Sequence, residues 1–206
     1  MRSVRYTLVA DGPTDVLLLP VLNWLLGRHH CSPQGEWFDP RLVTNPPVAL
    51  PDRIRRALDM LPCDLLFVHR DAERDDPGRR REEIRTAAQQ AVAGDTYVCV
   101  VPVRMTEAWF LFEEMAIRRA AGVPDGNQPL NLPAVARAET IANPKRLLHD
   151  ALRAASGRSG RRLRQFNVAK AQYRLGLILA DFSPLRTLPA FRQLEADVRS
   201  FLANKG

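Results

Sequence analysis

Short apolar runs rich in β-branched residues recur along this chain with helix-patterned segments between them, and that alternation restricts the fold more than any other feature. Residues 6–10 form such a run, which stops at Asp11-Gly12-Pro13. Thr14 is then placed to cap a helix whose apolar positions, Val16, Leu19, Leu22 and Leu26, recur at helical spacing. After a loop over 29–40, with weak strand character near 37–43, Pro51 opens a helix through Ile54, Leu58 and Leu61. Residues 64–68 read as a fully buried strand that stops at His69-Arg70-Asp71. A charged turn over 73–81 leads into a polar helix over about 81–93, and 96–103 carries the unbroken β-branched content of another buried strand. The order β-α-β-α-β-α-β predicts an α/β fold with a mainly parallel sheet flanked by helices, in which ligands sit outside the carboxyl ends of the strands. Both acidic clusters of the chain fall at those ends.

From Thr106 a helix is expected through Leu111, Met115 and Ile117 towards a loop over 122–133 rich in Pro, Gly and Asn. That loop divides the chain into an α/β domain, 1–122, and a helical, basic C-terminal extension, 123–206, packed on it. The extension is expected to hold a short helix ending at Asn143-Pro144, a helix from Lys145, a basic stretch over 158–164, and amphipathic helices near 166–180 and 189–202. With 206 residues, 46% of them hydrophobic, the chain can bury one sizeable core. A formal charge of +7 favours polyanionic partners. Cys31, Cys63 and Cys99 are odd in number and lack a CxxC spacing, which points to neither a disulfide framework nor a zinc site. No stretch approaches the roughly 18 apolar residues of a membrane span, so no membrane and a cytoplasmic location are expected. Walker, Gly-x-Ser-x-Gly and GxGxxG signatures are missing, which leaves nucleotide hydrolysis by this chain without support.

Three short motifs carry the chemistry. In Leu8-Val9-Ala10-Asp11-Gly12-Pro13-Thr14-Asp15, Gly12 permits a sharp turn, Thr14 caps the helix, and Asp11 is left at the rim of the sheet with Asp15 nearby. In Val68-His69-Arg70-Asp71-Ala72-Glu73, two registers are open: Asp71 with Glu73 as paired oxygen ligands, or His69 with Asp71. Carboxylate oxygen suits Mg²⁺, and a histidine ligand shifts the preference towards Mn²⁺. In Arg104-Met105-Thr106-Glu107-Ala108-Trp109, Glu107 opens a helix at the same rim, where it could ligate a metal or orient a bound water, while Trp109 reads as core. Each acid also has a plainer explanation as a helix-turn or solvent-facing charge.

The first motif resembles that of TOPRIM domains, in which a strand-terminal glutamate precedes Gly-x-Thr-Asp, and the second resembles their Asp-x-Asp at the end of the third strand. The Glu107-Ala108-Trp109 element resembles small bacterial TOPRIM-like proteins related to the nuclease domain of the overcoming-lysogenisation-defect family. The likeness covers about residues 5–120 and departs from the family pattern at Asp11, one methylene shorter than glutamate, and at His69, where the family has aspartate. It implies a TOPRIM or Rossmann-like fold, Mg²⁺ held by Asp11, Asp71, Glu73 or His69, and a catalytic set of Asp11, Asp71, Glu107 and Lys170. The chemistry implied is metal-dependent cleavage of DNA or RNA, as the effector of a bacterial defence pair with an ATPase partner. Lys145 resembles a basic position of the same proteins; with Arg158, Arg161, Arg162 and Arg164 it would grip phosphate without reading sequence. Two rivals stand beside this reading: a non-catalytic TOPRIM-like module that binds nucleic acid or a partner protein, and an acidic phosphoryl-transfer pocket of the receiver or haloacid-dehalogenase type, which expects Asp-x-Asp where this chain has Ala10-Asp11-Gly12.

Overall fold

The computed structural model describes residues 2–92, 94 and 96–205. Strand β1 (Arg2–Val9) leads through a 3₁₀ turn (Pro13–Leu17) into α1 (Leu18–Arg28), then β2 (Cys31–Phe38), α2 (Leu50–Met60), β3 (Leu65–His69), α3 (Pro77–Ala91) and β4 (Tyr97–Val100). A second 3₁₀ turn (Thr106–Phe110) precedes α4 (Glu114–Ala121), and the chain continues through α5 (Pro144–Ala155), α6 (Gly160–Arg164), α7 (Val168–Ile178) and α8 (Pro189–Asn204). The expected end of the third helix at Ala93 lies outside the described residues.

All four strands are parallel, in the order β2-β1-β3-β4. The chain therefore leaves β1 for the β2 edge and returns past β1 to build β3 and β4. Right-handed crossovers put helices on opposite faces when the direction of travel reverses, so α1 lies on one face and α2 and α3 on the other. Strand side chains alternate accordingly. Leu8, Phe67, Val98 and Val100 join the apolar cluster that includes α1, while Val9, Leu66, Val68 and Cys99 join the one formed with Ile54 of α2 and Ile84 of α3. The carboxyl ends of β1 and β3 flank the topological switch point, where an open α/β sheet presents its crevice.

Three expectations change. The loop over 29–40 is mostly strand: β2 occupies Cys31–Phe38 and pairs along the whole of β1. Pro33 and Gly35 disguise it, yet an edge strand tolerates a proline whose missing N–H faces away from the ladder. Gly35 has a positive role, because a Cβ there would fall 2.2 Å from Cζ of the buried Tyr6. Secondly, the helix from Thr106 is broken: Thr106–Phe110 is a single 3₁₀ turn with Trp109 fully buried against Phe191, and α4 begins only at Glu114. Thirdly, the basic stretch is itself helical, as α6.

The helices beyond residue 122 share the first apolar cluster. Leu148 and Leu152 of α5, Leu175 of α7, and Phe191, Leu194 and Val198 of α8 pack in it together with β1, β3 and α1. The sheet face that α1 only partly covers is completed from the C-terminal half of the chain. Among the described residues no helix is long and apolar enough to cross a membrane.

Candidate functional site

At the end of β1 the turn works differently from its expected form. Gly12, not Thr14, is the N-cap, with an ordinary extended backbone (φ −138°, ψ 166°) open to any residue. Its amide donates to Asp15 Oδ2 at 2.8 Å, so Asp15 reaches back over the turn as the acidic half of a capping box. Asp15 is buried there. Thr14, between them, is half-buried.

Asp15 is buried because His69, at the end of β3, stands beside it. The His69 side chain is 1% exposed; Nδ1 lies 3.5 Å from Asp15 Oδ2, an ion-pair distance without hydrogen-bond alignment, and Nε2 donates to Asp71 Oδ1 at 3.1 Å. Burial alone would lower the imidazole pKa, but the carboxylates of Asp15 and Asp71 outweigh it and raise it to about 10. Burial in turn pushes the Asp15 carboxyl up, and His69, the Gly12 amide and the charge of Lys145 more than reverse this, so its pKa is lowered. His69 is thus a buried imidazolium between two carboxylates.

Thr106, expected from the sequence only to open a helix, fixes the third side. Its amide donates to Asp71 Oδ1 at 2.8 Å, its hydroxyl donates to the same oxygen at 3.2 Å, and that hydroxyl accepts from His69 Nε2 at 3.0 Å. Oδ1 of Asp71 is saturated by these donors, with the side chain still 25% exposed. The only hint of this in the sequence was Thr106 standing beside Glu107 just after β4.

Glu107 is buried next in the chain. Its Oε1 accepts from Gln172 Nε2 at 3.3 Å and lies 3.7 Å from the Lys145 ammonium. Gln172, on the buried side of α7, continues to His149 Nε2 at 2.8 Å. Lys145, expected among the phosphate-gripping residues, therefore neutralises the acid network. Lys170, expected in the catalytic set, is exposed on α7; its neighbour Gln172 is the α7 residue that enters the network.

Asp11 points into a different set of charges. Oδ1 is 2.9 Å from Arg53 of α2 and Oδ2 is 2.9 Å from Arg70, whose guanidinium also meets Glu83 at 3.1 Å. Arg80 extends the chain of ion pairs from Glu83 to Asp75 at 3.0 Å and to Glu73 at 3.8 Å. Glu73, in left-handed backbone (φ 52°), is thus turned towards Arg80 rather than brought onto one cation with Asp71.

This arrangement does not fit the magnesium or manganese ion that the motifs imply. Among the described residues no three His, Cys, Asp or Glu side chains are gathered as a metal-holding group. Both oxygens of Asp11 face guanidinium groups, and both ring nitrogens of His69 are already beside carboxylates, Nδ1 at Asp15 and Nε2 at Asp71. Between Asp15 and Asp71 the imidazolium supplies the positive charge that a cation would bring.

The remaining basic candidates form a separate surface. Arg161, Arg162 and Arg164 are exposed on α6, and Arg158, also exposed, lies with its guanidinium 5.3 Å from the centre of the Phe166 ring. Comparison of the chain with family models, with curated proteins and with solved structures finds no match.

Proposed function

We propose that this chain is a TOPRIM-like module that binds nucleic acid through phosphate, with the acid network at the switch point serving as a structural hub. The observation that carries this reading is the contrast in charge pairing. Arg158, Arg161, Arg162 and Arg164 are exposed and make no ion pair among the described residues, whereas the rim carboxylates Asp11, Asp15, Asp71 and Glu107 each face a cationic partner. Unpaired guanidinium groups on one segment attract phosphate at long range and release counterions on contact. On this reading the module works in the cytoplasm, where nucleic acid is at hand.

A salt titration tests it. Binding of a labelled oligonucleotide should weaken steeply with salt, and replacing Arg161, Arg162 and Arg164 by alanine should flatten the log–log slope by about 2, at roughly 0.7 per lost phosphate contact on a single strand. Unchanged affinity and slope would remove the segment from the interface and the reading with it.

A second reading, a metal-dependent nuclease serving a defence pair with an ATPase partner, is favoured by one observation. Asp11 and Asp71 follow two adjacent strands at the switch point and both remain partly exposed. Cleavage of DNA or RNA that requires Mg²⁺ or Mn²⁺ and disappears in Asp71→Asn would make this the better account.

A further inference from the structure

Helix α7 presents an outward face made of Lys170, Tyr173, Arg174 and Leu177, spaced so that all four share one side of the helix. The opposite side, Ala171, Gln172, Leu175 and Gly176, is buried against the core. Two large side chains are therefore left in solvent on purpose-spaced positions: Tyr173 is 50% exposed and Leu177 is 64% exposed. Among the described residues the Tyr173 ring has no aromatic neighbour and its hydroxyl no hydrogen bond, and Lys170 and Arg174 enter no ion pair.

The charge around this face identifies what covers it. Between Asp150 and Asp181 the chain contains no acidic residue, while Arg153, Arg158, Arg161, Arg162, Arg164, Lys170 and Arg174 lie within that interval. Arg153 meets Asp150 at 3.1 Å, and the other six enter no ion pair among the described residues, so uncompensated positive charge gathers on α6, on α7 and on the turn before α6. A protein partner for an apolar patch ordinarily needs apolar complementarity with a few charges at its rim. A face that interleaves an aromatic ring with uncompensated cations fits a polyanion that also offers flat rings.

We infer that the outward face of α7 is a stacking surface for the bases of single-stranded nucleic acid, with Tyr173 as the platform and Lys170 and Arg174 holding the flanking phosphates. A base in a duplex is stacked on its neighbours and shows a binding surface mainly phosphate, whereas a base in a single strand can lie on an aromatic ring, an interaction that tolerates any sequence. The inference rests on the nucleic-acid reading above and adds to it the class of strand and the residue that selects it.

Fluorescence anisotropy with a labelled oligonucleotide, single-stranded and as a duplex, separates the two. The wild-type chain should prefer the single strand. Tyr173→Ala, an exposed change whose folding is checked by circular dichroism, should weaken single-strand binding roughly tenfold and leave duplex binding and the salt slope as they were, because no charge is removed. Tyr173→Phe should bind like wild type, and Tyr173→Trp at least as well. If Tyr173→Ala binds the single strand as tightly as wild type while the triple arginine variant loses affinity, the stacking surface is overturned and phosphate binding stands. Equal weakening on both strand types also overturns it. Wild type that binds neither form ends both readings. Self-association in sedimentation that Tyr173→Ala abolishes, with strand binding intact, would assign the face to a second copy of the chain instead.

Discussion

The acid network around His69 and the cationic surface of α6 and α7 handle charge in opposite ways. In the network His69, Asp15 and Glu107 are buried, and each carboxylate is countered: Asp15 and the partly exposed Asp71 by His69, Glu107 by Lys145, which reaches in from the surface. On α6 and α7 the cations are exposed and uncountered. The difference follows from solvation. A charge withdrawn from water is tolerated only with a partner, whereas water itself stabilises an exposed one and leaves it available to an outside anion. The first region is thus built for stability and the second for encounter, although Gln172 ties them through a single helix.

The largest effect expected from this contrast is on the buried side. His69→Ala leaves Asp15 without its cationic neighbour, and loss of one partner of a buried pair costs about 3–5 kcal/mol, readable as a lowered urea midpoint. Retention of full stability would mean that Asp15 takes up its proton at little cost, and the contrast would collapse. A weaker perturbation is pH. His69 is more basic in the folded chain than its ordinary 6.5, so the stability it contributes is complete below that value and is lost as pH rises towards about 10. Between pH 7 and 9 unfolding should become easier by at most about 1.4 kcal/mol per pH unit, and His69→Ala should flatten the decline. Above pH 9 the buried Cys99 thiol, raised to about 11, adds a second loss of the same sign. Smaller again is Asp11→Asn, which weakens partly exposed ion pairs with Arg53 and Arg70 and should cost about 0.2–1 kcal/mol. The smallest is the alanine replacement of Arg161, Arg162 and Arg164, each of which should leave stability within about 0.5 kcal/mol while the salt slope for oligonucleotide changes.

The strands that were easiest to find in the sequence are the ones buried on both faces. Residues 65–68 form an unbroken apolar run because β3 has helices on either side, and the run expected to be a strand over 96–103 holds β4, which is shorter at Tyr97–Val100. The edge strand β2 escaped, since Pro33, Gln34 and Gly35 carry turn chemistry and the strand's value lies in its partner: a flat place for Tyr6. The acids of the site were visible because they follow strands, but the contacts that organise them were not. Thr106 reaches Asp71 and Gln172 reaches Glu107 over 35 and 65 residues of sequence, and no local pattern encodes which helix turns its amide inward. Asp11 shows the limit from the other side: position alone placed it with Asp71, whereas Arg53 and Arg70 draw its carboxylate into a separate chain of ion pairs.

One feature of the core acts before the protein is complete. On the sheet face that carries Leu8, Phe67, Val98 and Val100, α8 packs on β4, so a growing polypeptide finishes all four strands while that helix is still to be translated. Parallel pairing is already slow because its contacts are distant in sequence. In this chain the nascent sheet must also wait with an apolar face open to other nascent chains, which makes the emerging N-terminal half a natural client of holding chaperones. For the same reason a fragment ending near residue 122 is expected to aggregate rather than fold, and the native sheet is secured only when α8 leaves the ribosome.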